Sequence, residues 1–213
     1  LRMSFTVWFM GRPASGKSTL AKRVEDALHE RGHAIENLDG DEIRENLYPD
    51  LGFSREDRAV NNRRTAYICR LLNRNGISVV NAMITPFRES QFRARELIET
   101  DGTFVLVYLK CSVEEAKRRD PKGLYEQAVE GKIENFTGIN HPFQEPHNPE
   151  IIVDTEQQEP AESVEHVLQR LKDLELPEEH AIDDYGFEMT HTEIELVRNK
   201  LAELEYIERD HKE

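Results

Sequence analysis

Near the start of the chain, Gly11-Arg12-Pro13-Ala14-Ser15-Gly16-Lys17-Ser18 fits the pattern G-x-x-x-x-G-K-[ST], a spacing that serves phosphate. Backbone curls closely around an anion only where no Cβ intrudes, so positions 11 and 16 require glycine and the N–H groups then face the ligand. Lys17 is placed to reach the β- and γ-phosphates of a nucleotide and Ser18 to meet Mg²⁺, while the opening of a helix adds partial positive charge. The run Gly11 to Ser18, with Thr19 behind it, is therefore the candidate triphosphate site. A bare glycine turn is the bland alternative. The loop alone leaves the acceptor open, because NTPases, GTPases and small-molecule kinases share it.

A phosphotransferase built on such a loop needs three further things: a carboxylate to organise metal, an acceptor for the attacking hydroxyl's proton, and cations matched to the acceptor's charge. The strand expected over 77–83 ends without an Asp, whereas the preceding one ends Leu38-Asp39-Gly40-Asp41. Ligands of open α/β sheets gather at the carboxyl ends of strands, which sets Asp39 and Asp41 beside the loop, facing the γ-phosphate. One orients the attacking hydroxyl and the other Mg²⁺-bound water, with Ser18 and Asp39 as candidate metal ligands. The plainer alternative is a helix start with Asp41 as N-cap and Asp39 in a turn, and both can hold together. Arg44 falls on the face of Asp41 if that stretch is helical. Arg58 and Asn61, three apart on the next helix, can fork around a charged acceptor, and Arg64 lies near them; Arg63 reads better as a solvated helix charge. Phe53, after Gly52, and Phe136, in a long irregular segment, read as exposed aromatics that meet a ring or a partner.

The elements that must position these groups alternate. Strands are expected at 5–10, 33–39, 77–83, 103–109 and 150–154, and helices at 17–31, 56–75, 89–99, 113–119 and from Pro160 to about 174. Near-continuous apolar strands such as Phe104-Val105-Leu106-Val107-Tyr108-Leu109, each followed by a helix, indicate a doubly wound α/β fold with a parallel sheet covered on both faces. The Gly-, Pro-, Asn- and His-rich segment 120–149 exceeds an ordinary connection and reads as a lid, or else as a surface loop. At 213 residues one domain over about 1–176 is expected. Residues 177–213 form an acidic linker and then an amphipathic helix. There Thr192-Glu193-Ile194-Glu195 makes a capping-box signature before Ile194, Val197, Leu201 and Leu204, a seam that either docks on its own domain or meets a second chain.

A net charge of -14 argues against nonspecific nucleic-acid or anionic-membrane binding. The two cysteines, Cys69 and Cys111, make neither a disulfide framework nor a metal spacing, which fits a reducing compartment. No apolar run approaches a membrane span, and with Leu1-Arg2-Met3 leading straight into the first strand no signal peptide is expected. A cytoplasmic protein is expected.

Several ordered motifs resemble those of adenylylsulfate (APS) kinases: Asp39-Gly40-Asp41 with Arg44, Leu51-Gly52-Phe53-Ser54-Arg55-Glu56-Asp57-Arg58, Arg119-Asp120-Pro121-Lys122-Gly123-Leu124-Tyr125, Phe136-Thr137-Gly138-Ile139 and Pro149-Glu150. The resemblance spans about residues 5–174. It implies a P-loop nucleoside-triphosphate-hydrolase-like three-layer sandwich, with a five-stranded parallel sheet flanked by helices and a C-terminal helical extension. It implies further that MgATP and adenosine 5′-phosphosulfate give ADP and 3′-phosphoadenosine 5′-phosphosulfate, in an enzyme that is commonly a homodimer. By position, Asp41, Arg44, Phe53, Arg58, Asn61, Ile84, Lys122, Asn135 and Phe136 would line the acceptor site, the two phenylalanines sandwiching its adenine. Lys122 would steady the transferring phosphoryl group beside Lys17, Asp39 and Asp41, and Arg119 would lie near the ATP base. Thr85, where the family has a serine, reads as a substrate contact. Three departures stand out: Asn135 where the family often has glycine, Asn81-Ala82-Met83-Ile84-Thr85 rather than a Phe-Ile-Ser type, and Asn62 and Thr65 in place of apolar residues. Two rival functions remain: a related kinase acting on a ribose hydroxyl of another modified nucleotide, or a nucleotide-binding partner of an ATP sulfurylase.

Overall fold

Strands and helices alternate along the chain in the computed structural model, which describes residues 4–174 and Leu176. β1 (Phe5–Met10) runs through the glycine loop into α1 (Lys17–Glu30), followed by β2 (Ile35–Asp39), α2 (Gly40–Leu47) and α3 (Arg55–Arg74). Then come β3 (Ser78–Met83), α4 (Arg88–Ile98), β4 (Thr103–Lys110), α5 (Val113–Arg119), α6 (Leu124–Val129), β5 (Ile151–Asp154) and α7 (Pro160–Asp173). The expected acidic linker and C-terminal seam lie outside the described residues.

All the strands pair in parallel, in the order β2-β3-β1-β4-β5. Every residue of β1 and β3 is buried, as expected of central strands covered on both faces. Pleating divides β1 between two cores. Phe5, Val7 and Phe9 pack with Leu20, Val24 and Leu28 of α1 and with Val167 and Leu171 of α7. Trp8 and Met10 pack with Ala66 and Cys69 of α3, Ala94 and Ile98 of α4, and Ile43 of α2. The result is the three-layer sandwich expected, with the glycine loop, Asp39, Thr85 and Cys111 all emerging at the carboxyl ends of strands.

One helix, α6, escapes the sequence reading, and another, α2, was read only as an alternative. The Asp-Gly-Asp stretch that resembles a turn opens α2, and Asp39 rather than Asp41 is its N-cap, its Oδ1 accepting from the Asp41 N–H at 2.9 Å. Segment 120–149 holds α6, and its Tyr125, Ala128 and Phe136 pack with Cys111, after β4, and Ala116 of α5 in a third cluster of buried side chains. β2 begins at Ile35 because Gly32, at φ +89°, and His33 still close the end of α1, with the His33 N–H donating to the Leu28 carbonyl. No helix among the described residues is long and apolar enough to cross a membrane.

Candidate active site

The glycine loop is held by close approach. A Cβ on Gly11 would lie 2.7 Å from Ser15 Oγ and 2.9 Å from the Leu109 carbonyl oxygen. Gly16 sits at φ +92°, and Ala14 takes a left-handed φ of 61° without glycine's freedom. Lys17 Nζ folds back to donate to the Arg12 carbonyl at 2.7 Å. Desolvation lowers the Lys17 pKa to about 8, against the opposing pull of Asp41 and Asp39.

Across from the loop, the cap geometry of α2 aims one carboxylate two ways. Asp39 Oδ1 is taken by the Asp41 N–H, while Oδ2 accepts from Ser18 Oγ at 2.6 Å. Ser18 and Asp39 thus bring two hard oxygen donors together, the chemistry Mg²⁺ selects when it keeps waters and phosphates as its other ligands. Among the described residues no cluster of three or more His, Cys, Asp or Glu forms a metal cage. Asp41 is exposed on the first turn of α2 and meets Lys122 of segment 120–149, with Nζ 2.7 Å from Oδ2. That contact raises the Lys122 pKa, first through the hydrogen bond and then through the charge of Asp41.

A cavity of about 930 Å³ joins these groups to the cationic side, near the upper end of the ~300–1,000 Å³ usual for ligand clefts. From α2, Arg44 donates to the Leu51 and Gly52 carbonyls at 2.9 and 2.8 Å, and its guanidinium lies 4.6 Å over the Phe53 ring. Arg58 of α3 donates to the Phe53 carbonyl at 3.1 Å and to the Asn135 carbonyl at 2.9 Å, tying α3 to segment 120–149. Burial lowers its pKa to about 10, and neighbouring Arg44 adds to the shift. Asn61 is buried beside it, with Oδ1 lacking a partner among the described residues.

Pro13, Ala14, Gly16, Lys17, Ser18 and Thr19 line this cavity together with Asp39, Asp41, Arg44, Phe53, Arg58 and Asn61. Ile84, Thr85, Arg119, Lys122, Asn135 and Phe136 complete the set that the sequence singled out. Gly11, Arg12 and Ser15 are not on its wall. Arg12 turns outward, donating to the Cys111 carbonyl at 3.0 Å. Arg119 is braced by Glu115 at 2.6 Å and by Thr155 Oγ1 at 3.2 Å.

Three expectations are corrected or sharpened. Phe136 is 7% exposed, not an open aromatic, because Tyr125 of α6 meets it edge-on with ring centroids 4.8 Å apart; Phe53 at 54% does stand open. The Thr85 hydroxyl accepts from the Trp8 indole N–H at 2.8 Å, which leaves its own proton free to donate. Asn135 has φ 57°, a left-handed conformation that glycine or asparagine tolerates best, which accounts physically for an Asn where the family often has Gly. Arg63 is exposed, as a solvated charge should be.

Sequence reasoning missed Tyr125, Asp120, Thr137 and Asn62. The Tyr125 hydroxyl donates to the Pro13 carbonyl at 3.0 Å and so pins α6 to the glycine loop. Asp120 gathers the N–H groups of Leu124, Tyr125 and Glu126 at 2.9, 3.0 and 3.2 Å, fixing the start of α6. Thr137 and Asn62 line the cavity with Oγ1 and Nδ2 buried and without partners among the described residues. Thr137, Asp120 and Tyr125 stand inside motifs already noticed, and Asn62 was noticed only as a departure from an apolar residue; none was read as a site residue.

Comparison with known proteins points one way. A family model described as adenylylsulphate kinase matches residues 3–154. The chain is 48% identical over 170 residues to the adenylyl-sulfate kinase of Staphylococcus carnosus, covering 80% of this chain and 85% of that protein. It is 45% identical over 170 residues to the adenylyl-sulfate kinase of Thermodesulfovibrio yellowstonii, covering 80% and 84%. The structure of the Mycobacterium tuberculosis APS kinase CysC in complex with AMPPNP and APS matches with a TM-score of 0.78 at 38% identity, over 81% of this chain and 99% of that one.

Proposed function

This chain belongs to the adenylylsulfate kinase family, and from that membership we propose how its residues divide the work. The enzyme transfers the γ-phosphate of ATP to the 3′-hydroxyl of adenosine 5′-phosphosulfate, giving ADP and 3′-phosphoadenosine 5′-phosphosulfate. The observation that carries the division of labour is the seam at Asp41. One cavity holds the glycine loop on one side and the Arg44/Arg58/Phe53 cluster on the other, and Asp41 with Lys122 stands between them.

On the donor side, the loop from Gly11 to Ser18 and Thr19 cradles the phosphates with its backbone N–H groups, and Lys17 exchanges the Arg12 carbonyl for a β/γ oxygen. Arg119 borders the ATP base. Ser18 and Asp39 would hold Mg²⁺, which would neutralise charge on the phosphates. On the acceptor side, Arg44, Arg58 and Asn61 meet the phosphosulfate, Phe53 and Phe136 border its adenine, and Ile84, Thr85 and Asn135 form the floor. Asp41 accepts the proton of the attacking 3′-hydroxyl and orients it, and Lys122 moves from Asp41 to the transferring phosphoryl group. Such transfers depend on positioning and electrostatics rather than covalent help.

The test is direct. Purified protein, ATP and Mg²⁺ are offered adenosine 5′-phosphosulfate beside a panel of other nucleotides, with ADP release as the readout. Preferential turnover of adenosine 5′-phosphosulfate is expected; ADP release no greater than with the panel would overturn the reading.

A further inference from the structure

Arg12 occupies a variable position of the glycine loop, yet its guanidinium lies outside the cavity. Its side chain is only 17% exposed and is held from three directions. Nη1 donates to the Cys111 carbonyl, Nη2 is 3.5 Å from the Glu145 carboxylate, and the guanidinium lies 4.6 Å over the Phe143 ring. Phe143 in turn stacks on Tyr108 of β4, with centroids 6.3 Å apart. The same residue's carbonyl accepts from Lys17 Nζ and from the Ser15 N–H. Arg12 is thus fastened by its backbone to the donor loop and by its side chain to the strap at 143–145.

That strap continues the acceptor wall. Thr137 bridges to His141, and the His141 N–H donates to the Phe136 carbonyl at 3.1 Å. Beyond His141, the Gln144 N–H donates to the Pro86 carbonyl at 2.8 Å, while Gln91 Nε2 donates both to the Gln144 carbonyl and to the Thr85 carbonyl. Phe136, Thr137 and Thr85 all face the cavity, so the strap hangs between the start of α4 and Arg12. Arg88 holds it on the α4 side, its N–H donating to Gln144 Oε1 at 3.0 Å and its Nε to the Glu145 carbonyl at 2.8 Å; removing the Arg12 guanidinium releases only the hold on the side of the glycine loop.

We propose that Arg12 is a positioning residue for the acceptor nucleotide: although it sits in the ATP-binding loop, its side chain holds the 143–145 strap, and through it the Phe136–Thr137 wall, against the donor half of the site. The proposal rests on the reading of that wall as the adenosine 5′-phosphosulfate site. An arginine that touched ATP would change ATP affinity first. A strap anchor leaves the loop backbone intact and changes the other substrate.

The test is steady-state kinetics on Arg12→Met, Glu145→Gln, the Arg12→Met/Glu145→Gln double variant and Arg12→Lys. Arg12→Met is expected to raise KM for adenosine 5′-phosphosulfate about 3- to 30-fold, the usual span for an indirect coupling, with KM for ATP moved less than about twofold. Glu145→Gln, whose side chain is outside the cavity, should shift the same constant in the same direction even if Arg12→Met fails to fold. The double variant should cost less than the product of the singles, and Arg12→Lys should recover part of the loss. A rise in KM for ATP with the acceptor constant unchanged, or singles whose effects multiply, would overturn the proposal. Wild-type protein inactive on adenosine 5′-phosphosulfate would instead remove the substrate assignment beneath it.

Discussion

Lys17 is held where water is scarce, and its proton is correspondingly loose. With the pKa lowered to about 8 by desolvation, the ammonium is already formed below pH 8, whereas above it ATP must draw a proton onto the lysine as it binds. KM for ATP is therefore expected to rise with pH above about 8, and calorimetry at pH 9 in buffers of different ionisation heat should report proton uptake that Lys17→Met abolishes. Asp41 makes a different prediction, since its proposed role begins only when a hydroxyl attacks. Asp41→Asn should lower kcat by about 100- to 10,000-fold, the range of a lost general base, with little change in ATP binding; undiminished turnover would remove Asp41 from that role. Both residues were legible in the chain as types at a spacing. Their contacts were not: the Lys122 partner of Asp41 lies 81 residues away, beyond any local pattern.

At the level of elements, segment 120–149, which we propose as a lid, turns on α6. Six residues are too few to nucleate a helix alone, and α6 exists because the Asp120 carboxylate collects three N–H groups and Tyr125 is buried with its hydroxyl on Pro13. Asp120→Ala strips that cap, a change that typically costs about 0.5–2 kcal/mol, and the loss should stay local. Hydrogen exchange is expected to quicken at Leu124–Val129 while the amides of β1 and β4 keep their protection; uniform quickening would show instead that the lid and sheet open together. A short element such as α6 hides in sequence, and α2 showed only as an alternative, because Gly-, Pro- and Asp-rich stretches carry turn signals more strongly than helical periodicity. The long elements were plain, since Leu20, Val24 and Leu28 of α1 had already marked a face that the sheet buries.

The whole molecule stands on its parallel sheet, whose β1 and β4 carry the glycine loop on one side and Cys111 on the other. Leu109 is fully buried in β4, and its carbonyl lies against Gly11. Leu109→Ala should remove about 2–5 kcal/mol of stability, lowering the thermal midpoint by about 4–20 °C for a chain of this size, with part of the loss offset by saturating ATP. Thermal unfolding with and without nucleotide checks both statements. The amino-acid sequence by itself determined the α/β class, the phosphate-binding loop, the displaced carboxylates Asp39 and Asp41 and the family, because each rests on residue types at short spacing or on hydrophobic period. Tertiary structure alone decided that Asp39 caps α2 while meeting Ser18, that Phe136 is buried under Tyr125, and that the Arg12 side chain leaves the phosphate loop. Each depends on groups brought together by the sheet, such as Arg12 and Cys111, 99 residues apart, where packing, not local preference, chooses the contact.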